Sequence, residues 1–168
     1  MRSLIDPIIL LLLCLPLIGQ AQVQEDEAQR DALSLKVLQA VDYVQLQRST
    51  LRRECKKPGV PQRVPACNKI AEVPNSAIER MMLPHFNRHV PSVQAQAALD
   101  FWTSQKGAVI NKKLVREVDQ FGTAQLTDED LRLLGQFNRS SAGQAMTRLA
   151  EDRSVTPDVM RAIGEYKP

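Results

Sequence analysis

The chain has 168 residues, of which 43% are hydrophobic and 24% are charged, and its net charge is +3 at neutral pH. This length suits one domain with a sizeable hydrophobic core. The weak positive charge does not indicate a nucleic-acid partner, because such partners select strongly basic surfaces.

Residues 1–21 have the pattern of a secretory signal peptide. Arg2 precedes an apolar run over 8–18, and Gly19-Gln20-Ala21 has the small-x-small form of a cleavage site, so we place the cut after Ala21. The run is shorter than the roughly 20 apolar residues that span a bilayer. Later segments contain no comparably apolar stretch. The sequence thus predicts an exported protein, either periplasmic or secreted, whose single helical domain covers 22–168.

Two cysteines, Cys55 and Cys67, remain after this cleavage. An exported chain meets an oxidising compartment, so we expect them to form a disulfide. Chain-entropy arguments give a loop of this size a stabilisation of about 3 kcal/mol. The spacing is not Cys-x-x-Cys, which argues against a redox-active pair.

Residues 28–75 are predicted to contain an N-terminal helix and the disulfide loop. Apolar residues recur on one face between Leu33 and Leu51, and the helix is expected to end near Cys55. Basic residues concentrate around the predicted disulfide and are candidates for binding a protein partner in the periplasm or an anionic envelope surface. This candidate set is Arg48, Arg52, Arg53, Lys56, Lys57 and Arg63. The alternative is a solvated helix end whose cations complement the helix dipole.

Residues 76–168 show helical periodicity throughout. Ser76 and Glu79 have capping-box spacing, Pro84 is expected to end or kink the helix that follows, and Thr127 begins a helix with three acids in its first turn. Strand-type alternation is not sustained in any segment. The predicted fold is all-α, a bundle of about seven helices with one disulfide.

Two segments of this region share the pattern Phe-x-x-Ser-x-x-Gly. They are 101–107 and 137–143, 36 residues apart, and each lies between two helical segments. The serine suits the N-cap of the second helix, and the glycine falls in its first turn, where a close backbone approach would explain it. The offset predicts a duplicated helix–corner–helix unit, with a chance match of three positions as the alternative.

The second corner and the segment before it resemble a known signature. Residues 126–131 read Leu-Thr-Asp-Glu-Asp-Leu, and 137–144 read Phe-Asn-Arg-Ser-Ser-Ala-Gly-Gln. They resemble the bacterial family catalogued as domain of unknown function twenty fifty-nine, except that Asn138 and Ser141 stand where the family has Tyr and Pro. The resemblance implies a small exported helical protein of Gram-negative bacteria. It brings no activity and no catalytic residues.

Few residues have a pattern that indicates chemistry. His85 and His89 are four apart and would share a helix face, which is half of a metal site, but a third ligand is not apparent and Phe86 stands where a zinc protease motif has Glu. Ser104 and Ser140 are interpreted as caps rather than nucleophiles, and Asp128, Glu129 and Asp130 as a helix start rather than acid–base carboxylates. Trp102 is expected in the core, with ligand stacking as its alternative.

These observations favour a non-catalytic periplasmic protein that acts by binding a protein partner or the envelope, without a cofactor or metal. Two alternatives stay open. One is a carrier of an apolar or lipid ligand in the helical core, and the other is a hydrolase of envelope polymers. The hydrolase would require His85 or His89 to meet carboxylates in a cleft.

Overall fold

The computed structural model describes residues 15–57, 64–120 and 125–167, with side chains from residue 26 onward except at 117–120. Within these ranges the protein is all-helical, as predicted. The described helices, numbered in chain order, are α1 (Leu15–Ala40), α2 (Tyr43–Cys55), α3 (Ala66–Lys69), α4 (Asn75–His89), α5 (Ser92–Thr103), α6 (Gln105–Gln120), α7 (Asp128–Arg139), α8 (Ser141–Glu151) and α9 (Val155–Glu165). The first fourteen residues of the predicted signal peptide lie outside the described residues.

Nine helices in the described ranges exceed the predicted number of about seven. The long N-terminal helix is divided because Asp42 adopts a left-handed conformation with φ of 50°, between α1 and α2. Aspartate tolerates this conformation better than most residues do. The second addition is the four-residue α3, which forms within the proline-containing disulfide segment.

The predicted disulfide joins Cys55 at the end of α2 to Cys67 in α3, with a Cα–Cα distance of 5.6 Å. It holds α3 near α2, and α3 also packs on α9. Lys69 of α3 donates to the carbonyls of Gly164 and Tyr166, at 2.8 and 3.2 Å. A cation is favourable here because the last carbonyls of a helix lack intrahelical partners.

The core forms where α1 packs on α4 and α5. The periodic residues of the N-terminal segment supply much of it, since Val37, Leu38 and Leu51 are fully buried. A polar contact fixes α1 on α4, because the Asn87 amide donates to Asp31 and accepts from Ser34, both at 2.6 Å. The remaining large, fully buried side chains come from later elements and include Val73, Ile78, Met82, Phe86, Val90, Ile110, Leu149, Val159 and Ile163.

The two Phe-x-x-Ser-x-x-Gly segments have the same local hydrogen bonds. Ser104 accepts from the Gly107 N–H at 3.1 Å and donates to the Phe101 carbonyl at 2.6 Å. Ser140 makes the equivalent bonds with Gly143 and Phe137 at the same distances. A Cβ atom on either glycine would lie 2.0 Å from the phenylalanine carbonyl oxygen of its own segment. The backbone that excludes a side chain is thus the end of the preceding helix, six residues before each glycine.

The two segments also meet each other through their aromatic rings. The rings of Phe101 and Phe137 stack with centroids 4.2 Å apart and planes 12° apart. Trp102 packs edge-on against both rings. This aromatic group brings the end of α5 against the end of α7. Trp102 is buried, as expected.

Two expectations for α4 are not met: an end of the helix at Pro84, and a capping box at Ser76. The helix α4 does not end at Pro84 but continues to His89. The Ser76 capping box does not form, since the helix begins at Asn75, two residues earlier than a Ser76 cap would place it, and Pro74 occupies the N-cap without a side-chain bond. The predicted start at Thr127 is confirmed, and Asp130 completes a capping box with it.

Candidate partner-binding surface and histidine cluster

Arg48 does not belong to the surface on which the sequence placed it. Its side chain is buried, with 8% of the residue exposed, and it points toward the segment between α3 and α4. The guanidinium donates to the carbonyls of Ile70 and Val73 and to the side-chain oxygen of Asn75. Burial, followed by the charge of Arg52, lowers its pKa. Arg48 therefore fixes the chain after the disulfide and cannot contact a partner.

Four other members of the predicted set are exposed at the C-terminal end of α2. They are Arg52, Arg53, Lys56 and Lys57, while Arg63 lies outside the described residues. Lys57 pairs with Glu54 at 2.6 Å, so one carboxylate partly offsets the four cations. We call these four residues the basic helix end. Cations at this position are favoured by the helix dipole, whether or not they also bind a partner.

Two residues anchor the backbone of α2 that carries the basic helix end. Cys55 lies between Arg53 and Lys56 in the chain and is bonded to α3. Two turns before Cys55, Arg48 is bonded to the segment that follows α3. Because both ties lie within the same helix, the backbone that carries the exposed cations is fixed relative to α3.

The two histidines lie against carboxylates from the other end of the chain. His89 Nε2 is 2.8 Å from the Asp152 carboxylate, and His85 Nδ1 is 3.9 Å from the same oxygen. On its other side, His85 Nε2 is 3.7 Å from Asp158. His85 is buried, with 5% exposed, and its Nδ1 atom has no hydrogen-bond partner. The cluster thus joins α4 to α9 and to the turn between α8 and α9.

Asp152 is the centre of this histidine cluster. Its second oxygen accepts from the backbone and hydroxyl of Ser154, at 2.9 and 2.7 Å. The bond from His89 and those from Ser154 hold its pKa well below the usual range for an aspartate. The Asp152 charge also affects Tyr43. Burial is the larger cause and the Asp152 carboxylate the second, and together they raise the pKa of Tyr43 to about 12. Asp152 is therefore a fixed negative charge that several elements share.

The remaining candidates have structural roles. Ser104 and Ser140 cap α6 and α8 through the bonds given above, which is the role the sequence predicted. Glu129 pairs with Lys106, and Asp130 pairs with Lys113, so the acidic start of α7 is tied to α6. In the described part of the chain, no three side chains of His, Cys, Asp or Glu are grouped as a metal site would require.

A groove of about 460 Å³ lies elsewhere, between α1 and α5. Its lining includes Leu33 and Lys36 from α1 and Gln96 from α5, and it contains neither the histidines nor the basic helix end. The described helices include none that is both long enough and apolar enough to cross a membrane.

The sequence could not indicate the carboxylates of the histidine cluster. Asp152 lies 63 residues from His89, and no local pattern connects them. The burial of Arg48 had a weak signal, since it follows Val44 by four residues and precedes Leu51 by three, on the apolar face.

No family model, curated protein or solved structure matches this chain. Function is therefore inferred from its own residues.

Proposed function

We propose that this protein is an exported, non-catalytic helical domain that binds an acidic protein partner through the basic helix end. Export is supported by the leader pattern over 1–21 and by the disulfide, which suits an oxidising compartment. The observation that carries the binding proposal is the exposure of Arg52, Arg53, Lys56 and Lys57 on a backbone fixed by the disulfide and by Arg48.

Charge complementarity makes an acidic partner the best fit. Clustered cations steer an oppositely charged protein and set the register of the complex, and their contribution falls as salt screens it. A fixed backbone lowers the ordering cost of binding. Arg63, which lies between the two cysteines in the sequence, adds one more cation to this set. An anionic lipid surface shares part of this chemistry and is the alternative that the experiment separates.

The test reverses charge on the surface and compares a matched control. The triple variant Arg52→Glu, Arg53→Glu and Lys56→Glu removes the positive field, while Lys112→Glu, Arg132→Glu and Arg153→Glu changes net charge equally at dispersed exposed positions. Crosslinking in envelope fractions should yield a salt-sensitive complex with an acidic protein for the wild type and the control, and not for the triple variant.

Two results would overturn the proposal. Equal complex formation by the triple variant and the control would remove the basic helix end as the binding surface. Binding of the wild type to vesicles of anionic phospholipid, without any crosslinked protein, would assign the surface to lipid instead.

A second candidate, an envelope-polymer hydrolase, is favoured by one observation. His85 and His89 do meet carboxylates, Asp152 and Asp158, which is the first requirement of that alternative. Against it, the groove between α1 and α5 lies away from these residues, and Asp152 already contacts His89, Ser154 and Arg88. Hydrolysis of purified peptidoglycan that is lost on substitution His89→Gln, with folding retained, would establish the hydrolase and displace the binding proposal.

We also propose that α5–α6 and α7–α8 are two copies of one helix–corner–helix unit. The support is the shared offset of 36 residues, the matching serine and glycine contacts, and the stacking of the two phenylalanines. Membership of the family catalogued as domain of unknown function twenty fifty-nine is a proposal of the same kind, which depends on the motif around the second corner.

A further inference from the structure

The groove between α1 and α5 has no part in the proposed binding surface. Six residues of α1 contribute to its lining: Asp26, Gln29, Arg30, Ala32, Leu33 and Lys36. We propose that this face of α1 is a dimer interface, in which α1 of one copy packs antiparallel against α1 of a second copy of this chain.

The spacing of the lining residues suits a two-fold axis. An antiparallel pair of helices centred on residue 31 sets each residue opposite a partner position equally far on the other side. Position 26 then faces position 36, position 29 faces 33, and position 30 faces 32. All six lining residues of α1 are paired in this way, as an isologous contact requires.

The charges at the two ends of this stripe are complementary to themselves. Asp26 and Lys36 are ten residues apart, or about 15 Å along the helix. In the antiparallel arrangement Asp26 of each copy faces Lys36 of the other, which gives two intermolecular ion pairs. A parallel arrangement would set like charges together, so the charge pattern selects the antiparallel one.

The charged residues at the two ends of the groove, Asp26 and Lys36, are not ion-paired within the described part of their own chain. Arg30, between them, is held within its own chain, where its Nη2 atom donates to the Asn87 carbonyl. Leu33 gives the stripe an apolar centre.

The proposed interface is small, so the affinity between the two copies should be low. One helix face with its rim falls below the roughly 1,200–2,000 Å² that stable complexes bury. The dimer is therefore weak and reversible, and it forms at the sub-millimolar concentrations used in sedimentation experiments. Each surface ion pair contributes modestly, but reversing one residue replaces two attractions per dimer by two repulsions.

Sedimentation equilibrium on the protein expressed from the full sequence tests the proposal. The wild type should show a monomer–dimer equilibrium, and Asp26→Lys or Lys36→Asp alone should weaken it about tenfold. The double variant Asp26→Lys, Lys36→Asp should restore it, because the pairs are re-formed with exchanged signs. Lys112→Asp, on the exposed surface of α6, is the control and should leave the equilibrium unchanged.

Rescue distinguishes a specific interface from a loss of folding. Each single variant also alters how α1 interacts with its own dipole, but the double variant carries both alterations, so its recovery has no explanation in helix stability. A wild type that stays monomeric throughout, single variants that dimerise like the wild type, or a double variant no better than the singles would each overturn the proposal.

Discussion

Substitution of Gly143 by alanine should destabilise the protein because the corner between α7 and α8 has no room for a methyl group. The added Cβ would lie 2.0 Å from the Phe137 carbonyl oxygen and 2.6 Å from the Asn138 Cα. Both are backbone atoms, so no side chain can rotate away. The two helices would have to separate by about 1 Å to relieve the contact, which strains the bonds of Ser140 that close the corner.

The expected cost follows from these contacts. Overpacking a tight site costs about 1–3 kcal/mol, and loss of the Ser140 cap adds about 1 kcal/mol. Alanine returns up to about 1 kcal/mol through its higher helix propensity. The net loss is about 1–3 kcal/mol, or roughly 2–12 °C in melting temperature for a domain of this size.

Thermal and urea unfolding followed by far-UV circular dichroism measures this loss. Gly135→Ala is the matched control, because the nearest atom to its added Cβ is 3.6 Å away on the flexible Arg139 side chain. It should stabilise the protein by about 0.5–1 kcal/mol. Gly107→Ala should behave like Gly143→Ala, since its contact with Phe101 is the same. A Gly143→Ala variant as stable as Gly135→Ala would refute the steric explanation.

Three further predictions concern charged and titrating groups. Arg48→Lys should lower the free energy of unfolding in urea by about 2–4 kcal/mol, because an ammonium group cannot satisfy two carbonyls and an amide oxygen as the planar guanidinium does. Arg52→Lys, one turn later and exposed, is the control and should change stability by less than about 0.5 kcal/mol. Equal effects of the two substitutions would contradict the buried role of Arg48. The hydrogen bond from Lys113, followed by the capping bonds with Thr127, lowers the pKa of Asp130 to about 2. The stability that the Asp130 carboxylate contributes is therefore complete above about pH 4 and is lost as the pH falls toward 2. Asp130→Asn should flatten that part of the acid unfolding profile, and an unchanged profile would contradict this role of Asp130. Burial, and then the Asp152 charge, raise the pKa of Tyr43 to about 12, so Tyr43 stays neutral in the folded state while it ionises in the unfolded state above about pH 10. Stability should therefore fall by up to about 2–3 kcal/mol as the pH rises from 10 toward 12. Tyr43→Phe should abolish that fall, and a fall that persists in the variant would implicate another group.

Features that depend on neighbouring residues were predictable from the sequence. The serine caps of α6 and α8 and the start of α7 at Thr127 are properties of three or four consecutive positions, and the structure has each of them. The disulfide was predicted from the expected export and from the number of cysteines left after the predicted cleavage, and the structure contains it. The close approach at Gly107 and Gly143 was also expected, although the backbone involved belongs to the corner itself.

Features that depend on distant residues were not predictable in the same way. The apolar periodicity continues across Asp42, so it gave no sign that the chain turns there into a left-handed conformation. Arg48 looks like its exposed neighbours until Ile70 and Val73 supply carbonyls for its guanidinium. Pro84 lacks a backbone N–H, but tertiary contacts of buried Met82 and Phe86 on either side hold α4 together through it.

The placement of the histidines shows the same limit. Their spacing of four residues correctly predicted that they lie near each other on one helix. Asp152 and Asp158, however, belong to elements much further along the chain. A local pattern gives the face on which a side chain lies. The groups it meets depend on how the helices pack.

Site-specific photo-crosslinking in living cells tests the central claim, that the basic helix end binds an acidic partner. A photoreactive amino acid at position 53 is compared with the same amino acid at position 112, which is exposed on α6. We predict a discrete adduct with one acidic envelope protein from position 53, diminished by high salt and absent from position 112. Identical adducts from both positions, or a salt-independent adduct with a basic protein from position 53, would contradict the claim.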